Sequence, residues 1–227
     1  MCYNIRHFER HGRDLEDPWS SRQCAVYQAF GGSLPAVWFF VQLPARTRDH
    51  ITRLFGKVSL QEQWHPMRLH LVILLSCEKG ILPYINYLSS QLLLLVGCVA
   101  PPNDETINPS DTMQNQKISF PKTYADFGIG FSHTLQVGHI RSKLHALLLC
   151  LHANINVAAT LTEHAEEMCR QGLISPALDR HFHSEINEYT TSMKAHIQAV
   201  EMRLESSGDT RLLVCSPQPG PGHGKTP

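Results

Sequence analysis

The apolar positions of this chain change period part-way along it. Between Arg22 and Leu43, aromatic and β-branched residues flank Gly31, Gly32 and Ser33, a pattern that predicts a β-hairpin whose turn needs positive φ. On its second arm Val37, Phe39, Val41 and Leu43 fall on one face, and Trp38 and Phe40 on the other. Both faces therefore call for cover, and the arm is expected to be buried against helices. Asp49 can cap a short helix through Leu54 with Gly56 as its stop, while Met67 to Ser76 fits either a core strand or a buried helix.

Residues 81–100 carry no formal charge and approach the roughly 20 apolar residues needed to cross a bilayer. Pro83, Asn86, Ser89, Ser90 and Gln91 favour a buried helix interrupted near its start. Farther on, Val137, Leu144, Leu151, Ala158 and Ala165 recur every seven positions, interleaved with Ile140, Leu147, Asn154, Leu161 and Met168. This predicts a long helix with a coiled-coil-like seam, stopped at Gly172. Ser175 and Pro176 then suit the cap and first position of a return helix. Its stripe is Leu178, Phe182, Ile186, Tyr189, Met193, Ile197, Val200 and Leu204.

The expected fold is α+β and predominantly helical, with an N-terminal β-hairpin packed on helices and then a long antiparallel helical hairpin. The expected divisions are an α+β subdomain at 1–99, a polar linker at 100–126, the helical hairpin at 127–206 and a disordered tail at 207–227, rich in Pro and Gly from 216 on. Asn154, the polar member of the seam, should set helix register by finding a polar partner on a facing element. On that reading Asn154→Leu raises thermal stability and broadens the oligomer distribution.

Acidic and basic side chains balance at twenty each, so no net field steers the chain toward nucleic acid or anionic lipid. The seven cysteines are scattered, odd in number and without a Cys-x-x-Cys pair, as in reduced cytosolic thiols. The N-terminus mixes Arg, His and Glu and lacks the apolar stretch of a secretory signal.

Trp19, Ser20, Arg22, Gln23, Ala25, Val26 and Tyr27, followed by the apolar run Val37 to Pro44, form a specific block. It resembles the opening signature of the fungal CorA-like transporter-domain proteins. A second block, Tyr84 to Leu88, is similar to the family, although Ile81, Leu82, Pro83 and Ser89 stand where it commonly shows Trp, Arg, Trp and Glu. A third runs from Phe131 and Ser132 through Lys143 and Leu144 to the end of the helical hairpin near Glu205, similar in period more than in identity.

The resemblance implies the cytosolic portion of a divalent metal ion transporter-type protein, which in the family precedes transmembrane helices and belongs to a membrane-embedded homo-oligomer. The Gly-Met-Asn pore signature is absent from this sequence. The expectation is a non-conducting, non-catalytic cytoplasmic chain, either a truncated product or a member reduced to its soluble domain; a longer product with the missing helices would be membrane-bound. The alternative is a soluble helical scaffold or interaction module unrelated to transport. Either way the partners are proteins, or further copies meeting through helices, and not nucleic acid.

Other chemical candidates are weaker. Gly222 to Thr226 imitates the end of a phosphate loop, but Pro219 holds a glycine position. His181 and His183 project to different sides of a helix, His145 and His152 fall on the flank beside the seam, and Glu163, Glu166 and Glu167 suit a solvated helix face. No Gly-x-Ser-x-Gly is present, and Cys24 reads as a small core residue. No cofactor, metal site or catalytic residue is expected. Trp19, Arg22, Gln23, Tyr27 and Asn154 are the structural or partner-anchoring candidates. Arg22 beside Trp19 either anchors a partner or, the favoured role, fixes the hairpin to the helices.

Overall fold

The computed structural model describes residues 1–31, 34–57, 65–97 and 123–215. Three strands come first, β1 (Cys2–Arg10), β2 (Trp19–Gly31) and β3 (Leu34–Val41). Five helices follow: α1 (Ala45–Lys57), α2 (Arg68–Glu78), α3 (Ile81–Gly97), α4 (Thr123–Arg170) and α5 (Pro176–Cys215). The strands form one antiparallel sheet in the order β1-β2-β3, with Ile5 opposite Cys24, and Tyr27 opposite Phe39. The expected hairpin is β2-β3, and the ambiguous apolar run at 67–76 is helical.

Alternation along the strands sorts the sheet into two faces. Tyr3, Ile5, His7, Cys24, Val26, Gln28, Trp38 and Phe40 share the face turned to α2, whose His70 meets Tyr3, Gln28 and Trp38. The opposite face of β3 departs from expectation. Val37 is 49% exposed and Phe39 and Val41 are each 60% exposed, as is Tyr27 at 45% beside them. Only the Trp38 and Phe40 side of that arm packs on the core, because the helices gather on one side of the sheet at that end. Gln42, with φ at 56°, ends the strand.

The two sheet edges are treated differently. The Gln28 N–H donates to the Met1 carbonyl at 2.9 Å, which fixes the ladder's phase. Odd-numbered residues of β1 therefore bond to β2, and the groups of Asn4, Arg6 and Phe8 point away from it. Asn154 of α4, only 1% exposed, donates its Nδ2 to the outward Arg6 carbonyl at 3.1 Å. Gly80, between α2 and α3, lies against the outward Phe8 carbonyl so closely that a Cβ there would sit 1.9 Å from the oxygen. This edge is thus covered by helices. The polar partner of Asn154 is thus a backbone carbonyl of a strand.

α1 begins at Ala45, ahead of the predicted cap, with the Arg48 N–H donating to the Pro44 carbonyl; Asp49 lies within it. Pro83 is tolerated in α3 because it falls in the first turn, where the N–H has no intrahelical acceptor. α4 closes in a Schellman motif. Leu173 N–H donates to the Met168 carbonyl and Gly172 N–H to that of Cys169, both at 2.9 Å, with Gly172 at φ 71°. Ser175 then caps α5, its Oγ accepting from the Leu178 N–H at 3.3 Å. Seven of the eight predicted stripe residues of the return helix are buried, Leu178 being partly so. They meet Leu144, Leu147, Leu151, Ala158, Leu161 and Ala165 of α4 in the common core.

α5 runs on to Cys215, past the expected start of the tail at 207. Ser207 is buried, and Arg141 of α4 donates to its hydroxyl at 2.6 Å and to the Leu204 carbonyl at 2.7 Å. Of the expected linker, residues 100–122 lie outside the described residues and 123–126 are helical, and the phosphate-loop imitation also lies outside them.

Two expectations follow from the covered edge. Gly80→Ala should destabilise the fold by on the order of 3 kcal/mol, since the clash is with backbone and cannot be relieved by a rotamer change. Asn154→Leu should lower stability by about 1–3 kcal/mol by leaving the Arg6 carbonyl unpaired, the reverse of what a register-setting seam residue would give. Leu147→Ala should cost about 2–5 kcal/mol by opening a cavity. Chemical denaturation of the three variants with a common m-value checks all of them.

Candidate functional site

The Trp19 to Tyr27 block is β2, the central strand, so its side chains are distributed over both faces instead of converging. Trp19 enters an aromatic cluster with Tyr84 at 5.4 Å and Tyr87 at 6.4 Å between ring centroids, and Phe8 stacks on Tyr84 at 4.4 Å. Arg10, not Arg22, lies over the Trp19 ring, 5.4 Å from its centroid. Arg22 instead pairs with Glu9 at 3.1 Å on the surface, where such a bridge contributes little. Gln23 is exposed, and Tyr27 stands on the open face against Phe39 at 5.8 Å. Trp19 thus fixes the sheet to α3, while Tyr27 and Gln23 are presented outward.

The aromatic cluster adjoins a groove of about 420 Å³ between α3, α4 and the β1-β2 connection. Tyr87, Gln91, Leu94 and Leu95 form one wall and Leu135, His139, Ile140 and Lys143 the other, with Glu16 and Asp17 at one end. Asp17 is already engaged: Lys143 Nζ donates to one carboxylate oxygen at 2.6 Å and the Trp19 N–H to the other at 2.9 Å. Burial pushes its carboxyl upward, but these bonds and the lysine's charge together hold it below the usual carboxylate value. With one carboxylate so occupied, the groove is an amphipathic cleft and not a cation cage. Sequence reasoning missed it because Asp17 and Lys143 are brought together only by the tertiary fold.

The other polar constellation is buried. Tyr3 donates its hydroxyl to His70 Nδ1 at 2.5 Å, and His70 Nε2–H donates to Gln28 Oε1 at 2.6 Å. Both bonds are made by the neutral ring, and burial, assisted by the N-terminal ammonium and His164, drives the His70 pKa down to about 3. Burial likewise pushes the Cys24 thiol up to about 11 and that of Cys77 up to about 12, so neither is a nucleophile at neutral pH.

Among the described residues no three His, Cys, Asp or Glu side chains converge to hold a metal. His181 pairs with Glu185 at 3.2 Å and His183 with Asp179 at 3.5 Å, each one turn along α5. His65 accepts the Met67 N–H at Nδ1, which leaves the proton on the Nε2 that faces Asp179 at 3.8 Å. His145, His152, Glu163 and Glu166 are exposed on α4, and Glu167 is partly so.

Residues 1–94 match the CorA-like family, described as CorA-like transporters. No curated protein and no solved structure matches the chain. The matched segment comprises the sheet, α1, α2 and most of α3, and so includes the Trp19 block and the Tyr84 to Leu88 block. It ends before the α4-α5 hairpin.

The His70 network sets a pH dependence. Its folded pKa lies below the unfolded value of about 6.5, so its contribution to stability is complete above pH 6.5 and is lost as pH falls toward 3. A loss on the order of 4 kcal/mol is expected across that window. His7 and His65, also lowered by burial, act in the same direction. Denaturation measured from pH 7 to pH 4 should show this slope, and His70→Phe should flatten it while being less stable at pH 7 through the stranded Tyr3 and Gln28 groups.

Proposed function

We propose that the chain is the non-catalytic cytosolic domain of a CorA-like, divalent metal ion transporter-type protein, acting in assembly or regulation and not itself conducting. The match of residues 1–94 to CorA-like transporters carries this reading. It is supported by the chemistry of the interior, where the titratable groups are engaged in packing: protonated thiols, a neutral His70, and no convergent ligand set among the described residues.

Among the described residues two segments contain an 18-residue window apolar enough to cross a membrane, Arg68–Leu95 with a mean hydropathy of 1.3 over that window and Ser132–Arg170 with 1.5. The first is broken by the turn at Lys79 and Gly80 into two helices, which place Leu71, Ile73, Leu74, Ile81, Ile85 and Leu88 in the shared core and leave Leu75, Leu82, Leu93 and Leu94 exposed. The exposed side of α4 carries His139, His145, His152, Glu163 and Glu166. Such a helix fits a core element better than a lipid-facing one.

A second reading, a helical interaction module outside transport, is favoured by the exposed Leu149, Leu173 and Met202 along the hairpin. Expression of the chain alone with membrane fractionation tests the first reading. Recovery in the soluble fraction, with no magnesium entry into liposomes mixed with the purified protein, is the expected outcome. Retention in membranes through alkaline carbonate, or magnesium flux above that of protein-free liposomes, would overturn it. Specific association with a membrane-embedded CorA-like protein separates it from the interaction-module reading.

A further inference from the structure

We propose that the free edge of β3 pairs antiparallel with β3 of a second copy of this chain, joining two sheets into one of six strands. The β1 edge is covered by α4 and by the Gly80 turn, but β3 is hydrogen-bonded on one side only among the described residues. The same phase that points Arg6 and Phe8 outward on β1 makes the odd residues Val37, Phe39 and Val41 bond to β2. The N–H and C=O groups of Trp38 and Phe40 are left on the open edge.

The strand is nearly a palindrome about Phe39, reading Val37-Trp38-Phe39-Phe40-Val41. A two-fold axis through Phe39 sets Trp38 opposite Phe40 of the copy, and Phe40 opposite its Trp38. These are the residues whose backbone groups are free, and each opposed pair exchanges two hydrogen bonds. Phe39 then meets its own equivalent at the closely spaced, non-hydrogen-bonded position, and each Val37 meets a Val41. The three are exposed by 60%, 49% and 60%, so the pairing covers apolar surface on both copies.

Charge favours the same occupant. β3 carries no Lys, Arg, Asp or Glu, the usual defence of an exposed edge, and the chain's formal net charge is zero, so two copies meet without net repulsion. An acidic or basic partner would find nothing complementary on this strand. The area sets the strength. Three side chains and a short backbone edge from each copy make a small contact beside the roughly 1,200–2,000 Å² of a stable interface, so the dimer is reversible.

Sedimentation velocity of the full chain from 1 to 200 µM, together with hydrogen exchange at both ends of that range, tests the pairing. The expected result is a monomer-dimer equilibrium in which the amides of Trp38 and Phe40 gain protection with concentration, while those of Val37, Phe39 and Val41 do not. Phe39→Lys and Phe39→Glu, both at an exposed position, should each be monomeric and as well folded as the parent by circular dichroism. Mixed together they should dimerise, because only a residue on the axis meets its own equivalent. A wild-type chain that stays monomeric throughout would leave the edge to a different polypeptide or surface and overturns the proposal. So does a dimer that survives Phe39→Lys, which would place self-association on the helices, or one that leaves the Trp38 and Phe40 amides unprotected.

Discussion

The outward backbone edge of β1 is the constraint around which the molecule is arranged. A strand with one paired side leaves alternate carbonyl and amide groups without acceptors or donors, and a helix laid against that side must supply them or expose them to water. Here α4 supplies one through Asn154 at the Arg6 carbonyl, and the α2-α3 turn approaches the Phe8 carbonyl so closely that only glycine fits at position 80. These two contacts fix where α3 and α4 sit. The aromatic cluster of Phe8, Trp19 and Tyr84 and the ion pair of Asp17 with Lys143 then follow from that placement.

The helical hairpin meets a different requirement. The buried apolar stripe runs along both helices without marking where either stops, and α4 packs against α5, α3 and β1. Caps therefore determine its ends. The left-handed Gly172 and the Ser175 hydroxyl stop one helix and start the next within a few residues, which aligns Tyr189 and Phe182 with the interior. At the open end Arg141 ties the two helices together through the Leu204 carbonyl and Ser207.

Much of this architecture is legible from residue order because it depends on local rules: a seven-residue recurrence, a glycine at a helix stop, a serine before a proline. What escapes such reading depends on distant partners. β1 carries the alternation of Tyr3, Ile5 and His7 against Asn4 and Arg6, yet a buried histidine and an out-of-phase Phe8 obscure it. The half-open state of β3 is hidden for the opposite reason: its composition is that of a buried strand, and sequence does not reveal on which side the helices gather. Of the candidate site residues, Trp19 and Asn154 fall at packing junctions, whereas Arg22 pairs with Glu9 of the neighbouring strand and not with Trp19. Asp17 with Lys143, and His70 with Tyr3 and Gln28, join positions too far apart in the chain for any spacing rule.

The ties that cross residue 94 bear on how the segment resembling CorA-like transporters can exist. Arg68 holds Glu185, Glu78 receives a hydrogen bond from Ser192, Arg203 donates to Ser89, Lys143 to Asp17 and Asn154 to Arg6. Five junctions of charged or polar groups therefore stitch residues 1–94 to α4 and α5. A boundary drawn where the family match stops would cut through one cooperative unit, exposing Tyr84, Leu88 and the β1 edge together. Changes in the hairpin's sequence must therefore preserve the surface that completes the sheet, since α4 supplies the donor to the Arg6 carbonyl at the β1 edge.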